Sequence, residues 1–278
     1  MLQSGILDPR GPIAAAQRDL LINATEIMLV VVVPVIVMTL GFAWWYRASN
    51  ARAARDEEVA YEGRIDFVVW AIPALVVLLL GGVTWIATHK LDPRVPIISD
   101  RKPLRVDVVS LDWKWLFIYP DQGIAAVNQL VIPAGTPVSF RLTSATVMNS
   151  FLVQQLGSQI YTMPGMTTYL NLMADKPGQF PGISSNFSGN GFAWMRFIVK
   201  ATPSAEFENW VEQARGSGKG LDAASFAELA KPSQGVPPMT YRTVDPKLFQ
   251  KIIDQTALAS PEQSVSTAWC GPVQPKGD

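Results

Sequence analysis

Residues 182–195 read GISSNFSGNGFAWM, and small polar side chains crowd there around Gly182, Gly189 and Gly191 before the stretch closes on Trp194 and Met195. Loops of this composition wrap a metal or a phosphate closely, because glycine lets backbone approach a ligand and hydroxyls and amides can line it. The rest of the chain supplies few partners for a metal. It holds one cysteine, Cys270 in a Pro/Gly-rich tail, and one histidine, His89. Zinc and blue-copper centres need at least three His, Cys or carboxylate ligands. Ligand supply therefore argues against a transition-metal centre built by this chain alone. A single cysteine also rules out an intramolecular disulfide and says nothing about redox compartment.

The elements around this loop set its context. The 278 residues carry 23 basic and 23 acidic side chains, with no charged block, so there is no electrostatic case for nucleic acid. Residues 27–46 and 67–88 contain no charge, and each run matches the ~20 residues that a helix needs to cross ~30 Å of hydrocarbon. The first is too long for a signal core and follows a lead-in that carries Asp8, Arg10, Arg18, Asp19 and Glu26. Trp44, Trp45 and Tyr46 form an interfacial belt before Arg47, and Trp70 and Trp85 sit near the two ends of the second span. Arg47, Arg52, Arg55 and Arg64 place the short connection at 47–66 in the cytoplasm and both chain ends outside. Pro34, Gly41, Pro73 and the Gly81-Gly82 pair favour burial of the spans in a larger bundle.

From Leu104 the pattern alternates. Segments 104–111, 114–119, 126–132, 138–143, 150–155, 168–173 and 195–201 read as short strands separated by Pro/Gly turns, which predicts an antiparallel sandwich or barrel. Trp113, Trp115, Phe117 and Tyr119 fall on one face of such a strand. After Pro203 the spacing turns helical over 204–215, 222–231 and 245–256. The expected organisation is a periplasmic lead-in at 1–22, a two-helix transmembrane hairpin at 23–90, a sandwich domain at 91–202, an aromatic-rich helical extension at 203–259 and an irregular tail at 260–278.

The order of these features resembles subunit II of the heme–copper respiratory oxidases. The features that carry the resemblance are two spans with Trp70-x-x-Pro73 in the second, an Asp112-Trp-Lys-Trp115 strand, Asn149-Ser-Phe151, Leu156-Gly-Ser-Gln159 and Met163-Pro-Gly165. The resemblance covers nearly the whole chain and implies a cupredoxin-like Greek-key sandwich. The copper-bearing branch of that family holds a dinuclear centre on a pattern H-S-F…C-S-E-x-C-G-x-x-H-x-x-M. Laid on that pattern, Asn149 and Phe192 stand at the histidine positions, Ser184 and Ser188 at the cysteines, and Asn186 at the glutamate. Gly189 and Met195 are retained. Neutral hydroxyls and amides do not supply the thiolates that copper needs.

That substitution implies the quinol oxidase branch, of the cytochrome bo type, whose subunit II lacks copper. On this resemblance the chain itself binds no cofactor. Hemes, copper and quinol belong to a partner subunit I, small membrane subunits complete the complex, and cytochrome c is not a partner. The setting implied is the bacterial inner membrane, with a multi-pass anchor in the bilayer and a periplasmic domain. From Leu91 onward there are 16 basic and 15 acidic residues, without the acidic surplus of a face that docks a basic cytochrome. The helical segment after Pro203 is similar to the extension typical of that branch.

By the same resemblance Asp66, one turn before Trp70, stands where an acid lies near the mouth of a proton channel into subunit I; read plainly, it is a helix-start carboxylate. Glu26 reads as a snorkelling carboxylate, His89 as structural, Cys270 as a free thiol, and the Trp113/Trp115 stripe as core and partner contact. Two other readings remain open: a cytochrome c oxidase subunit II with an altered copper site, and a membrane-tethered periplasmic binding module without an oxidase partner.

Overall fold

The computed structural model describes residues 5–53, 62–216, 218–255 and 257. Cys270, the tail at 260–278 and the acids Asp56, Glu57 and Glu58 lie outside the described residues. Two helices come first, α1 (Pro12–Trp45) and α2 (Gly63–Lys90). Both are long and apolar enough to cross a membrane. Helix α1 begins at Pro12, so much of the segment expected as a lead-in is helical. The sequence PIAAAQRDLL explains this, because proline at the first helical position has its φ preset and strong helix formers follow. Beyond Ala14 no described residue of either helix is buried, and Trp70 is 79% exposed. Apolar surface of this extent, all around a helix, calls for lipid or partner helices.

The chain from Pro93 onward, together with residues up to Ala15, forms a separate compact unit. Its strands are β1 (Leu104–Leu111), β2 (Lys114–Tyr119), β3 (Ile124–Val127), β4 (Gln129–Pro133), β5 (Val138–Ser144), β6 (Asn149–Val153), β7 (Gly157–Thr162), β8 (Thr168–Leu172), β9 (Gly178–Ser184) and β10 (Arg196–Thr202). The extension adds α3 (Ser204–Gly216), β11 (Gly220–Leu221), α4 (Ala223–Ala230), β12 (Met239–Tyr241), β13 (Thr243–Val244) and α5 (Leu248–Ile253). One sheet runs β12-β3-β2-β1-β5-β8 and the other β4-β10-β9-β6-β7, with β11 and β13 as a small separate pair. The β1–β5 and β4–β10 pairs are parallel and the other pairs within the two large sheets antiparallel. The fold is a cupredoxin-like sandwich carrying a C-terminal helical extension.

Three departures from the sequence reading have local causes. The run at 126–132 is two strands in different sheets. Asn128 between them takes φ 54°, accepts from the Trp115 amide and donates to Val236 O. Strand β9 was hidden by Pro181 and Gly182. Gly182 is there because a Cβ would lie 2.1 Å from the Phe197 ring, which packs over the strand. Trp113 leaves the aromatic stripe altogether: it sits in the β1–β2 turn at φ 62°, while Trp115, Phe117 and Tyr119 point into the core.

The core lies between the two sheets. Trp115, Phe117 and Phe140 from one meet Phe151, Phe180 and Phe197 from the other. Tyr119 ties the sheets together, its hydroxyl donating to Val131 O and accepting from Val131 N, each at 2.9 Å. Burial pushes this phenol well above its ordinary range. A second core forms on the outer face of the large sheet. There Val109, Leu111, Leu116 and Ile118 pack against Phe226, Leu248, Phe249 and Ile252 of the extension.

Candidate functional site

Asn149 opens β6 and Ser184 closes β9, and the two strands pair antiparallel with Phe151 opposite Ser184. This register brings two distant segments side by side at one end of the five-stranded sheet. The Ser184 hydroxyl shares its proton between Asn149 Oδ1 at 3.2 Å and Asn186 O at 3.3 Å. Asn149 donates in turn to Val147 O at 3.2 Å, and Asn186 to Met148 O at 3.1 Å. The Ser184 amide donates to Met195 O at 3.1 Å. The Ser188 hydroxyl lies 3.9 Å from Met195 Sδ, whose side chain is buried. Phe192 starts a 3-10 turn that ends at Trp194, and its ring packs against Phe187 at 5.6 Å. All six positions singled out in the sequence thus gather in one cluster.

What the cluster can do chemically follows from its donors. It offers a thioether, two hydroxyls and two carboxamides, all neutral, and Asn149, Ser184 and Asn186 are already hydrogen-bonded to one another or to nearby backbone. A dinuclear copper centre needs thiolate and imidazole donors, so this donor set does not fit the metal. Among the described residues no group of three or more His, Cys, Asp or Glu could hold a metal ion.

The sequence reading missed what holds the loop in place. Trp113 donates from Nε1 to Ser188 O at 3.0 Å, and its ring covers Gly191, where a Cβ would fall 2.2 Å from ring carbons. The positive φ of Trp113 costs roughly 1–2 kcal/mol, which the ring's packing and hydrogen bond offset. Beside it, the buried Lys114 donates to Lys231 O at 2.7 Å and Ser233 Oγ at 2.5 Å. It thereby caps the carbonyl end of α4 and pins the extension to the start of β2. Desolvation lowers its pKa, partly opposed by Asp112. The only sequence hint was a lysine at the head of an otherwise apolar strand.

Gly191→Ala should therefore push Trp113 off its seat and cost about 1–3 kcal/mol. Denaturant unfolding of the chain in mild detergent reads this. The loss should be mostly absent when Trp113→Ala is already present, since the clash needs both groups. Equal losses in both backgrounds would mean that the ring does not brace the loop.

Asp66 lies in the first turn of α2, half-buried. Glu26 is exposed on α1. His89, at the other end of α2, donates from Nδ1 to Trp85 O at 2.8 Å and packs its ring 4.6 Å from that indole.

Comparison with known proteins agrees with the fold. Residues 122–202 match the family described as cytochrome c oxidase subunit II, periplasmic domain, and residues 215–257 match the COX aromatic rich motif. The chain is 51% identical over 250 residues to cytochrome bo(3) ubiquinol oxidase subunit 2 of Pseudomonas putida, covering 90% of this chain and 80% of that one. The chain belongs to the ubiquinol oxidase subunit 2 family. Identity is 45% to ubiquinol oxidase subunit 2 of Acetobacter aceti, over 89% of this chain and 81% of that protein. Identity is 36% to quinol oxidase subunit 2 of Bacillus cereus, over 88% and 86%. The aromatic rich motif of this ubiquinol oxidase subunit 2 family member coincides with the segment that builds the outer core on the large sheet.

Proposed function

We propose that the chain is the non-catalytic, copper-free subunit II of a proton-pumping quinol:oxygen oxidoreductase in an aerobic respiratory chain. The observation that carries this is the cluster at Asn149, Ser184, Asn186, Ser188, Phe192 and Met195: a copper-type scaffold whose five exchanged ligand positions hold neutral residues, with Asn149, Ser184 and Asn186 hydrogen-bonded together, Ser188 against Met195 and Phe192 against Phe187. An oxidase that takes electrons from a lipid-soluble quinol needs no metal relay from a soluble cytochrome. The hemes, copper and quinol then sit in subunit I, accompanied by small membrane subunits, and cytochrome c is not a partner. The two helices anchor the chain as a multi-pass protein in the bacterial inner membrane.

Residues 5–15 belong to the same compact unit as the sandwich, which supports a hairpin that crosses twice and leaves both on the periplasmic side. Capping of subunit I by residues 91–202, with 203–259 as their brace, is supported by apolar side chains bare around the loop. Phe187 is 75% and Trp194 61% exposed, with Val147 and Met148 beside them. Patches of this kind mark protein contacts.

The purified complex should oxidise quinol with oxygen uptake and fail to use reduced cytochrome c. Metal analysis should find no copper attributable to this chain. Stoichiometric copper in its soluble domain, or activity with cytochrome c in place of quinol, would overturn the proposal. We assign Asp66 to proton entry at the cytoplasmic mouth of subunit I. Asp66→Asn should slow oxygen-linked proton uptake about tenfold or more, the scale of losing one positioned proton-transfer group. Unchanged turnover removes Asp66 from the path.

A further inference from the structure

The segment ahead of α1 is built into the sandwich. The Arg10 amide donates to Gln155 O at 2.7 Å, and the Asp175 amide donates to Arg10 O at 2.9 Å. Arg10 therefore bridges the β6–β7 turn and the β8–β9 loop with both of its backbone groups, as an added strand would. Gln155 Nε2 reaches back to Asp8 Oδ2 at 3.2 Å, and Asp8 pairs with Arg10 at 2.9 Å.

Two glycines make this seat. At Gly11 a Cβ would stand 2.1 Å from Met173 O. At Gly157, φ 111°, it would stand 2.8 Å from both Ala14 N and Ile13 Cγ2. Ala14 is fully buried in consequence. The atoms that an added Cβ would meet at Gly157 all belong to the arm, and those at Gly11 belong to Met173 and Leu156. The passage of this segment explains glycine at position 11, and at position 157 it adds to the demand already made by the positive φ.

We propose that residues 8–14 are a clasp that gives the domain a second attachment to the membrane, independent of the covalent connection after α2. The partner surface is the groove between the β6–β7 turn and the β8–β9 loop, and its occupant is this chain's own arm. Because α1 starts at Pro12 within the clasp, the folded domain holds the first turn of the helix that carries the first span. A chain whose first span inserted the other way would leave the groove empty and the Asp175 amide without its acceptor. The clasp therefore selects one topology of the hairpin once the domain has folded.

The test uses the full chain expressed alone in membranes, with a short protease-cleavable insert between Asp92 and Pro93. That position matters because Asn171 holds Pro93 O and Arg94 O, and these residues must leave with the domain. After cleavage and a salt wash, the wild-type domain should stay in the membrane pellet. In Gly11→Val it should move to the supernatant at least tenfold more. Gln155→Ala, which leaves all backbone contacts in place and cannot disturb the fold through a clash, should release an intermediate share. The released domain should keep the protease resistance of the uncut chain, which separates loss of the clasp from unfolding. A cut wild-type domain that is released as freely as the Gly11→Val form, or a Gly11→Val domain retained like wild type, overturns the proposal.

Discussion

Phe151→Ala should destabilise the sandwich by about 3–5 kcal/mol, the range for removing a large buried aromatic. Phe151 is fully buried and stacks on Phe197 at 5.0 Å and 19°. The edges of Trp115 at 5.4 Å and Phe117 at 6.5 Å meet it, with Phe140 at 5.7 Å. Four rings from both sheets thus converge on one side chain, so truncation opens a cavity that none can fill without leaving its rotamer. Aromatic pairs add about 0.5–1.5 kcal/mol beyond burial, which places the loss toward the upper end. Because Phe151 pairs with Ser184 across β6 and β9, the damage lies next to the loop at 184–195. Denaturant unfolding of the chain in mild detergent should give the full loss for Phe151→Ala and well under half of it for Phe151→Leu. A loss near 1 kcal/mol for the alanine variant would mean that the rings do not form one packed unit.

The same cluster shows what the sequence could and could not disclose. Strand β2, KWLFIY, reads as alternating, and the alternation places Trp115, Phe117 and Tyr119 correctly in the core. Yet Leu116 and Ile118 between them are equally buried, because the extension covers the other face. A near-continuous apolar run is the mark of a strand buried on both sides, so the outer core was legible in β2 and went unread. Trp113 was misplaced because periodicity carries no information about where a strand ends, and the turn uses a backbone conformation rare for tryptophan. The loop residues could be singled out because their positions follow a fixed pattern along the chain, which does not depend on predicting strands. The hydrogen bonds among Asn149, Ser184 and Asn186 were not legible, since they arise from the β6–β9 register. The seat of Gly11 against Met173 was invisible for the same reason: it joins residues far apart in sequence, and a lone glycine in a polar stretch signals nothing.

Arg141→Ala should cost about 3 kcal/mol, through the charge it leaves behind more than through the contact it removes. Asp107 on β1 is buried, with its side chain 3% exposed. Arg141 on β5 donates to both of its oxygens, Nε to Oδ1 and Nη2 to Oδ2, each at 2.7 Å. Asp107 and Arg141 are directly opposite in the parallel β1–β5 register, and the guanidinium lies 4.9 Å over the Phe249 ring of α5. The pair thereby joins the large sheet to the extension. The Asp107 carboxylate beside it raises the Arg141 pKa above its usual value, so the cation persists at any working pH. Breaking a buried pair from one side costs about 3–5 kcal/mol, whereas replacing both members by apolar groups of similar size is often neutral. Arg141 is half exposed, so water can partly reach the abandoned carboxylate, which places the expectation at the low end of that range.

One comparison separates this account from a simple loss of packing on Phe249. Asp107→Leu with Arg141→Met should be more stable than Arg141→Ala alone, although it changes more atoms, because it leaves no charge buried without a partner. Denaturant unfolding of both variants in mild detergent reads the difference. A double variant no more stable than the single would assign Arg141 to packing alone. The bridge between sheet and extension would then be apolar, carried by Phe249 and its neighbours.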